Sequence, residues 1–351
     1  MNDKLEPNNV IAAHLVESDS LFVELAIFNT VDPAQIARAV EAFCSTKLGS
    51  AIAECLFYES SQGSVIGLRL ADNRRVVVKA HPPSQSIEFL AAVYHVQSHL
   101  ANHGFPCPMP IIGPTPLALG YAVVEELVDD GVYADAHEPS IRHTMAETLF
   151  WLVDLTRNLR NLPGLRPGML SRFLSGRLWP TPHSQIFDFE ATAQGSEWID
   201  RIASKARQNL LSSGAGEVVI GHTDWSVKHF RFVDGIVRVI YDWDSLALEK
   251  ESVIVGDAAR GFPMTWHLDV PVAPPLDELW AFVEEYEAAR GAAFTTAERA
   301  TIAAAAAYAL AYSARCENCF NPAATDYPIG SFREALSHYG EALLAPRRQW
   351  F

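Results

Sequence analysis

Strand-forming sequence in this chain is gathered into one stretch and one island. Between residues 51 and 127, short β-prone runs at 51–58, 65–70, 75–80, 109–112 and 121–127 follow one another, the first three separated by Ser-Ser-Gln-Gly-Ser at 60–64 and by Asp72-Asn73. Short runs joined by tight turns pair antiparallel. One helix interrupts them: Ser86 caps it, Phe89, Val93, Val96 and Leu100 have the spacing of one buried face, and the proline-rich segment after Gly104 cannot continue it. Beyond Val128-Asp129-Asp130-Gly131 the pattern turns helical, with helices predicted at 142–162, 197–211 and 276–290 and two more opened by Thr295-x-x-Glu298 and Ser331-x-x-Glu334. The island, 217–246, lies among these helices. The chain therefore reads as α+β in three parts: a helical extension at 1–50, where Ile36, Ala37, Val40 and Phe43 fall at helical spacing; a lobe at 51–128 with a five-stranded antiparallel sheet and a helix; and a larger, mainly helical lobe at 129–351.

A length of 351 residues exceeds one simple core, and 49% hydrophobic residues suffice to fill two. With 27 basic against 42 acidic residues the formal charge is −15, which repels phosphate backbones and anionic lipid, so nucleic acid is not an expected partner. Residues 1–9 lack the order of a secretory signal, and the most apolar helical run, 301–312, is too short to span a bilayer. A cytoplasmic protein with no membrane association is expected. Five cysteines, an odd number, do not suggest a disulfide framework. Cys316 and Cys319 read either as half of a zinc site or redox motif or as two structural thiols; no second Cys/His pair at ligand spacing accompanies them.

Chemistry is concentrated in the island. Gly221-His222-Thr223-Asp224-Trp225-Ser226-Val227-Lys228-His229-Phe230 is followed by Ile240-Tyr241-Asp242-Trp243-Asp244. Two carboxylates at the ends of paired strands can converge on one site, as phosphoryl transfer requires: one orients the attacking hydroxyl and accepts its proton, the other holds the metal on the nucleotide phosphates. Ordinary turn acids are the plainer alternative.

The order of these features resembles the aminoglycoside phosphotransferase and choline or homoserine kinase group, a branch of the protein-kinase-like superfamily. There, His-Gly-Asp-x-x-x-x-Asn precedes a strand ending in Asp-Trp-Glu; here His222-Thr223-Asp224 leads to His229, then Asp242-Trp243-Asp244, a step of 18 residues from the first Asp to the second. The resemblance extends to Val76-Val77-Val78-Lys79 and to the passage from His99 to Pro110. It implies a two-lobed kinase-like fold, ATP with Mg2+ or Mn2+, and as acceptor a small-molecule hydroxyl on an aminoglycoside-like antibiotic or a metabolite alcohol. It also implies roles: Asp224 as base, Asp242 as metal ligand, His222 bracing the loop, and Lys79 on the α- and β-phosphates with Glu88 as its ion-pair partner. Ser61 and Gly63 would cover the phosphates, and Glu126 and Val128 would lie in the segment whose backbone meets adenine.

Two departures matter. His229 stands where the family has a metal-ligating Asn, and imidazole suits manganese or zinc better than magnesium. Thr223 replaces a glycine. Lys228 beside Asp224 either stabilises charge on the transferring phosphoryl group or is a solvated loop cation. Glu278, Glu284, Glu285 and Glu287 could bind an amine-bearing acceptor, or be surface acids; Trp266, Trp280 and Tyr286 line a pocket or fill a core. Rival readings are a non-catalytic nucleotide-binding pseudokinase and a metal-dependent hydrolase using His222, Asp224, His229 and Asp242.

Overall fold

The structure is a computed structural model that describes residues 6–345 except 19, 175, 185, 213–215 and 323. The chain divides into two compact units, one running to Asp129 and including Leu162–Leu165, the other formed by Asp130–Asn161 and the residues from Arg166 onward.

In the first unit, three helices, α1 (Pro7–Glu17), α2 (Phe22–Phe28) and α3 (Pro33–Phe43), precede β1 (Ile52–Ser60), β2 (Ser64–Leu70) and β3 (Arg75–His81). Then come α4 (Ile87–Asn102), β4 (Pro110–Leu117) and β5 (Gly120–Glu126). The five strands form one antiparallel sheet in the order β1-β2-β3-β5-β4. Pleating divides its residues: Ile66 and Leu68, Val76, Val78 and Ala80, and Ala122 and Val124 share one face and pack with Ile11, Ile27, Ile36 and Val40 of the preceding helices. Burying each of those aliphatic side chains contributes about 1.5–3 kcal/mol, so the helices form a layer of the sheet's core. Val77, Lys79, Val123 and Glu125 alternate onto the other face. Ser86 caps α4 as expected, its Oγ accepting the Phe89 N–H.

The second unit carries α5 (Pro139–Thr156), α6 (Met169–Phe173), α7 (Glu197–Ser212), β6 (Val218–His222), β7 (Phe230–Val233), β8 (Ile236–Ile240) and β9 (Leu246–Lys250), then α8 (Glu251–Gly261), α9 (Leu276–Arg290), α10 (Thr296–Phe320) and α11 (Phe332–Leu344). Its strands make two antiparallel pairs, β6 with β9 and β7 with β8. The alanine-rich run is the buried α10, opened by the complete Thr295–Glu298 capping box. Small residues are needed there because α8 crosses closely: a Cβ on Gly256 would stand 2.4 Å from the Ile302 carbonyl oxygen and 2.9 Å from the Ala305 Cβ. Among the described residues, no helix is long and apolar enough to cross a membrane. All five cysteines are free thiols.

Candidate active site

The loop from β6 to β7 is fixed before any ligand arrives. The Thr223 N–H and hydroxyl both donate to the Ser245 carbonyl, at 3.0 and 2.9 Å, and the Tyr241 N–H donates to the His229 carbonyl at 3.0 Å. His222 is buried, and burial lowers its pKa, favouring the neutral ring. Its Nδ1 accepts the Asp224 N–H at 3.3 Å, leaving Nε2 to donate to the Tyr241 carbonyl at 3.3 Å. Both ring nitrogens are thus engaged, which removes His222 from the four-residue metal set of the hydrolase reading. Trp225 anchors the loop by donating to the Met145 carbonyl at 3.1 Å.

On this frame Asp224, His229 and Asp242 converge, one ligand atom from each lying within 4.8 Å of the others. His229 Nε2 is 3.0 Å from Asp224 Oδ2 and 3.7 Å from Asp242 Oδ2, and Lys228 Nζ reaches the same Asp224 oxygen at 2.8 Å. Ser226 donates to Asp224 Oδ1 at 3.1 Å, and Ser245 to Asp242 Oδ2 at 2.5 Å. Burial alone would raise the Asp224 pKa; the hydrogen bond from His229 and the charges of Lys228 and His229 outweigh it and hold the carboxyl well below the usual carboxylate range. Asp242 takes a left-handed backbone, φ 65° and ψ 46°, a region that Asp tolerates better than most residues. Two carboxylates and an imidazole this close make a donor set suited to a divalent cation, with the nitrogen favouring manganese or zinc over magnesium.

The first unit holds the expected phosphate residues, with one correction. Lys79 Nζ pairs at 2.9 Å with Glu125 Oε1, and their side chains are only 12% and 5% exposed. Gln97 of α4 donates to Glu125 Oε2 at 2.9 Å. Register explains the choice: Lys79 lies opposite Val123, so Glu125, two residues on, shares its face of the neighbouring strand. Glu88, the partner expected from sequence, is exposed in the first turn of α4 and accepts the Ser86 hydroxyl at 2.6 Å. Hydrogen bonding to Ser86 lowers its pKa, so the carboxylate serves the helix start. The signal for Glu125 was present as an acid at an inward position of an apolar strand.

Ser61 and Gly63 form the turn between β1 and β2, the Ser61 N–H donating to the Gly63 carbonyl at 3.1 Å. A Cβ on Gly63 would stand 2.6 Å from the Ala80 carbonyl oxygen, so glycine lets the turn approach β3 next to Lys79. Glu126 ends β5 opposite Val76, with its N–H donated to the Met109 carbonyl at 2.9 Å; Val128 follows just after the strand.

Comparison with known proteins agrees with this geometry. No curated protein sequence matches the chain. Among solved structures, an amicoumacin kinase bound to AMP-PNP, Ca2+ and its ligand is similar with TM-score 0.58 and 11% identity, over 83% of this chain and 87% of that one. A choline/ethanolamine kinase family protein from Mesorhizobium loti is similar with TM-score 0.52 and 12% identity, over 89% and 95%. A macrolide 2'-phosphotransferase from Brachybacterium faecium is similar with TM-score 0.52 and 13% identity, over 89% and 99%. At these identities the likeness is one of fold, and that fold is the two-lobed, kinase-like one. A model of the phosphotransferase enzyme family matches residues 66–249, just over half of the chain and a span that includes Lys79, Asp224 and Asp242. The chain belongs to the phosphotransferase enzyme family and is a small-molecule kinase.

Proposed function

We propose that the protein transfers the γ-phosphoryl group of ATP to a hydroxyl of a small molecule, with Asp224 as general base and with Asp242 and His229 as ligands of a divalent metal. The observation that carries this reading is the convergence within 4.8 Å of Asp224 and His229, on the loop between β6 and β7, with Asp242, just after β8. Asp224 accepts the hydroxyl proton on a carboxylate oxygen, the freed oxygen lone pair bonds to the γ-phosphorus, and the bond to the β-bridging oxygen breaks to release ADP. A depressed pKa keeps Asp224 ionised and ready for that proton at neutral pH. Lys228, already at 2.8 Å from Asp224, keeps positive charge beside the transferring group. A divalent cation at Asp242 and His229 would neutralise phosphate charge there. We assign nucleotide handling to residues 51–128, through Lys79, Ser61, Gly63, Glu126 and Val128, and catalysis with acceptor binding to residues 129–351. The imidazole in the metal set favours manganese over magnesium.

The test is ATP turnover by the purified protein with magnesium or manganese and a panel of amino-acid alcohols, choline, macrolides and aminoglycosides. Acceptor-dependent ADP release in the wild type, lost in both Asp224→Ala and Asp242→Ala, is the expected result. Turnover that survives either substitution would overturn the assignment, and tight zinc binding without nucleotide affinity would favour a hydrolase.

A further inference from the structure

An aromatic and cationic rim closes on itself beside Asp224. Lys228, whose ammonium touches Asp224 Oδ2 at 2.8 Å, stands 4.9 Å from the ring centre of Trp266. Trp266 neighbours His267 with ring centres 5.9 Å apart, and His267 stacks on Tyr133 at 4.0 Å. Arg231 lies over Tyr133 at 3.6 Å, donates to its hydroxyl at 2.5 Å, and returns to the start by donating to the Lys228 carbonyl at 3.2 Å. The rim is pinned to the catalytic loop because the Val227 and Lys228 N–H groups donate to the carbonyls of Phe262 and Met264, at 2.8 and 3.3 Å.

Three properties of this rim bear on what it can hold. Trp266 is 70% exposed, an unusual position for so large an apolar ring unless something covers it. Arg231 directs its hydrogen bonds to the Lys228 and Phe230 carbonyls and the Tyr133 hydroxyl, and among the described residues no carboxylate pairs with it. The aromatic faces that could receive a cationic ligand already lie under protein cations, Lys228 on Trp266 and Arg231 on Tyr133. Three of the four α9 acids that could attract an amine are engaged, Glu278 with His137 at 2.6 Å, Glu285 with Arg142 at 2.9 Å, and Glu287 with Arg299, while Glu284 is exposed.

We propose that the acceptor is a hydroxyl compound with a flat apolar body and an anionic group, the body covering Trp266 and the anion held by Arg231. The proposal rests on the phosphotransferase reading and narrows its acceptor to a class that excludes polyamines and quaternary ammonium alcohols. Arg231 supplies the charge and Trp266 the surface, and the hydroxyl is presented to Asp224 at the neighbouring corner of the rim.

Three probes alike except in charge test it: 4-(hydroxymethyl)benzoate, 4-(hydroxymethyl)benzamide and 4-(aminomethyl)benzyl alcohol, each titrated into the full chain by ligand-observed NMR with and without ADP and manganese. The benzoate should bind most tightly and the amine least. Arg231→Gln and Trp266→Ala should each weaken benzoate binding by about tenfold, as expected for a charged hydrogen bond or a lost stacking surface, while ADP affinity stays within twofold. Arg231→Lys should recover part of the affinity. Amine binding equal to or tighter than benzoate binding, no binding by any probe at millimolar concentration, or loss of ADP affinity in Arg231→Gln overturns the proposal. ADP binding by the wild type, read in the same samples, reports separately on the phosphotransferase reading. Trp266 is surface-exposed, so its variant keeps the test valid if Arg231→Gln misfolds.

Discussion

The surroundings of Lys79 and of Asp224 handle charge in opposite ways. Lys79 and Glu125 neutralise each other almost out of reach of water, and Gln97 takes up the remaining carboxylate oxygen. Asp224 is 33% exposed, and the side chains of Lys228 and His229 crowd one of its oxygens while a serine holds the other. A buried pair tolerates no partner's removal, because the survivor is an uncompensated charge in a poor solvent. A partly exposed acid has water as a partial substitute for its partners, so losing its charge costs the fold less. The two regions therefore separate stability from chemistry, and substitution should show it.

The largest effect is expected at the catalytic loop. Asp224→Asn should lower acceptor-dependent phosphorylation by about 10²–10⁴-fold, the usual contribution of a general base, while its loss of thermal midpoint stays smaller than that of Glu125→Ala. Comparable losses of activity and of stability would erase the contrast. The same two proteins also test the carboxyl's titration. A depressed folded-state pKa contributes stability that is present above the unfolded value of about 3.9 and lost as pH falls through the folded value. Denaturation midpoints should therefore separate wild type from Asp224→Asn at neutral pH and converge in strong acid.

Next comes the buried pair. Glu125→Ala should cost about 3–5 kcal/mol in denaturant unfolding, since it removes one member of a buried ion pair. Lys79→Met combined with Glu125→Leu should recover most of that stability while nucleotide binding stays lost, a result that a purely catalytic role for Lys79 would not give. A smaller effect is expected at His229, where Asn would supply an oxygen ligand: the ratio of manganese-supported to magnesium-supported activity should fall, and an unchanged ratio would remove His229 from the metal set. The smallest belongs to Glu88→Ala, which should lower the thermal midpoint only slightly as a lost interaction with the helix start and leave the KM for ATP unchanged. A clear rise in that KM would restore Glu88 as the working partner of Lys79.

The contrast also explains what could be read from sequence. The five strands announced themselves through short β-prone runs and turn residues, and the catalytic loop through polar groups packed between two apolar strands. Lys79 was visible too, as a cation ending an apolar run. The choice of its partner was not settled there, because Glu88 and Glu125 are both acids near the correct place, and only the register of β3 against β5 decides between them. Helices α1 and α2 could not be placed one by one within the expected helical extension for another reason: one is weakly amphipathic and the other spans 7 residues, so their burial comes from the sheet they cover. The closed rim was out of reach because it joins Tyr133, Arg231 and Trp266 from distant parts of the chain, and no local spacing encodes that meeting.

The helical layer over the first sheet has a consequence for how the chain is made. Its anchors reach far ahead in sequence: His14 meets Ser60 at 2.9 Å, Glu24 accepts the Tyr58 hydroxyl at 3.0 Å, and the Ile27 carbonyl accepts the Leu119 N–H at 2.9 Å. During synthesis the layer emerges first and its apolar side chains wait for the strands they will cover, the last of which, β5, ends only at Glu126. At about 5–20 residues per second that interval lasts several seconds, a window in which the nascent chain presents Ile11, Ile36 and Val40 to whatever chaperone or neighbouring chain is near. Slowing translation across residues 50–120 should lengthen that window and lower the soluble yield, with no change in the finished enzyme.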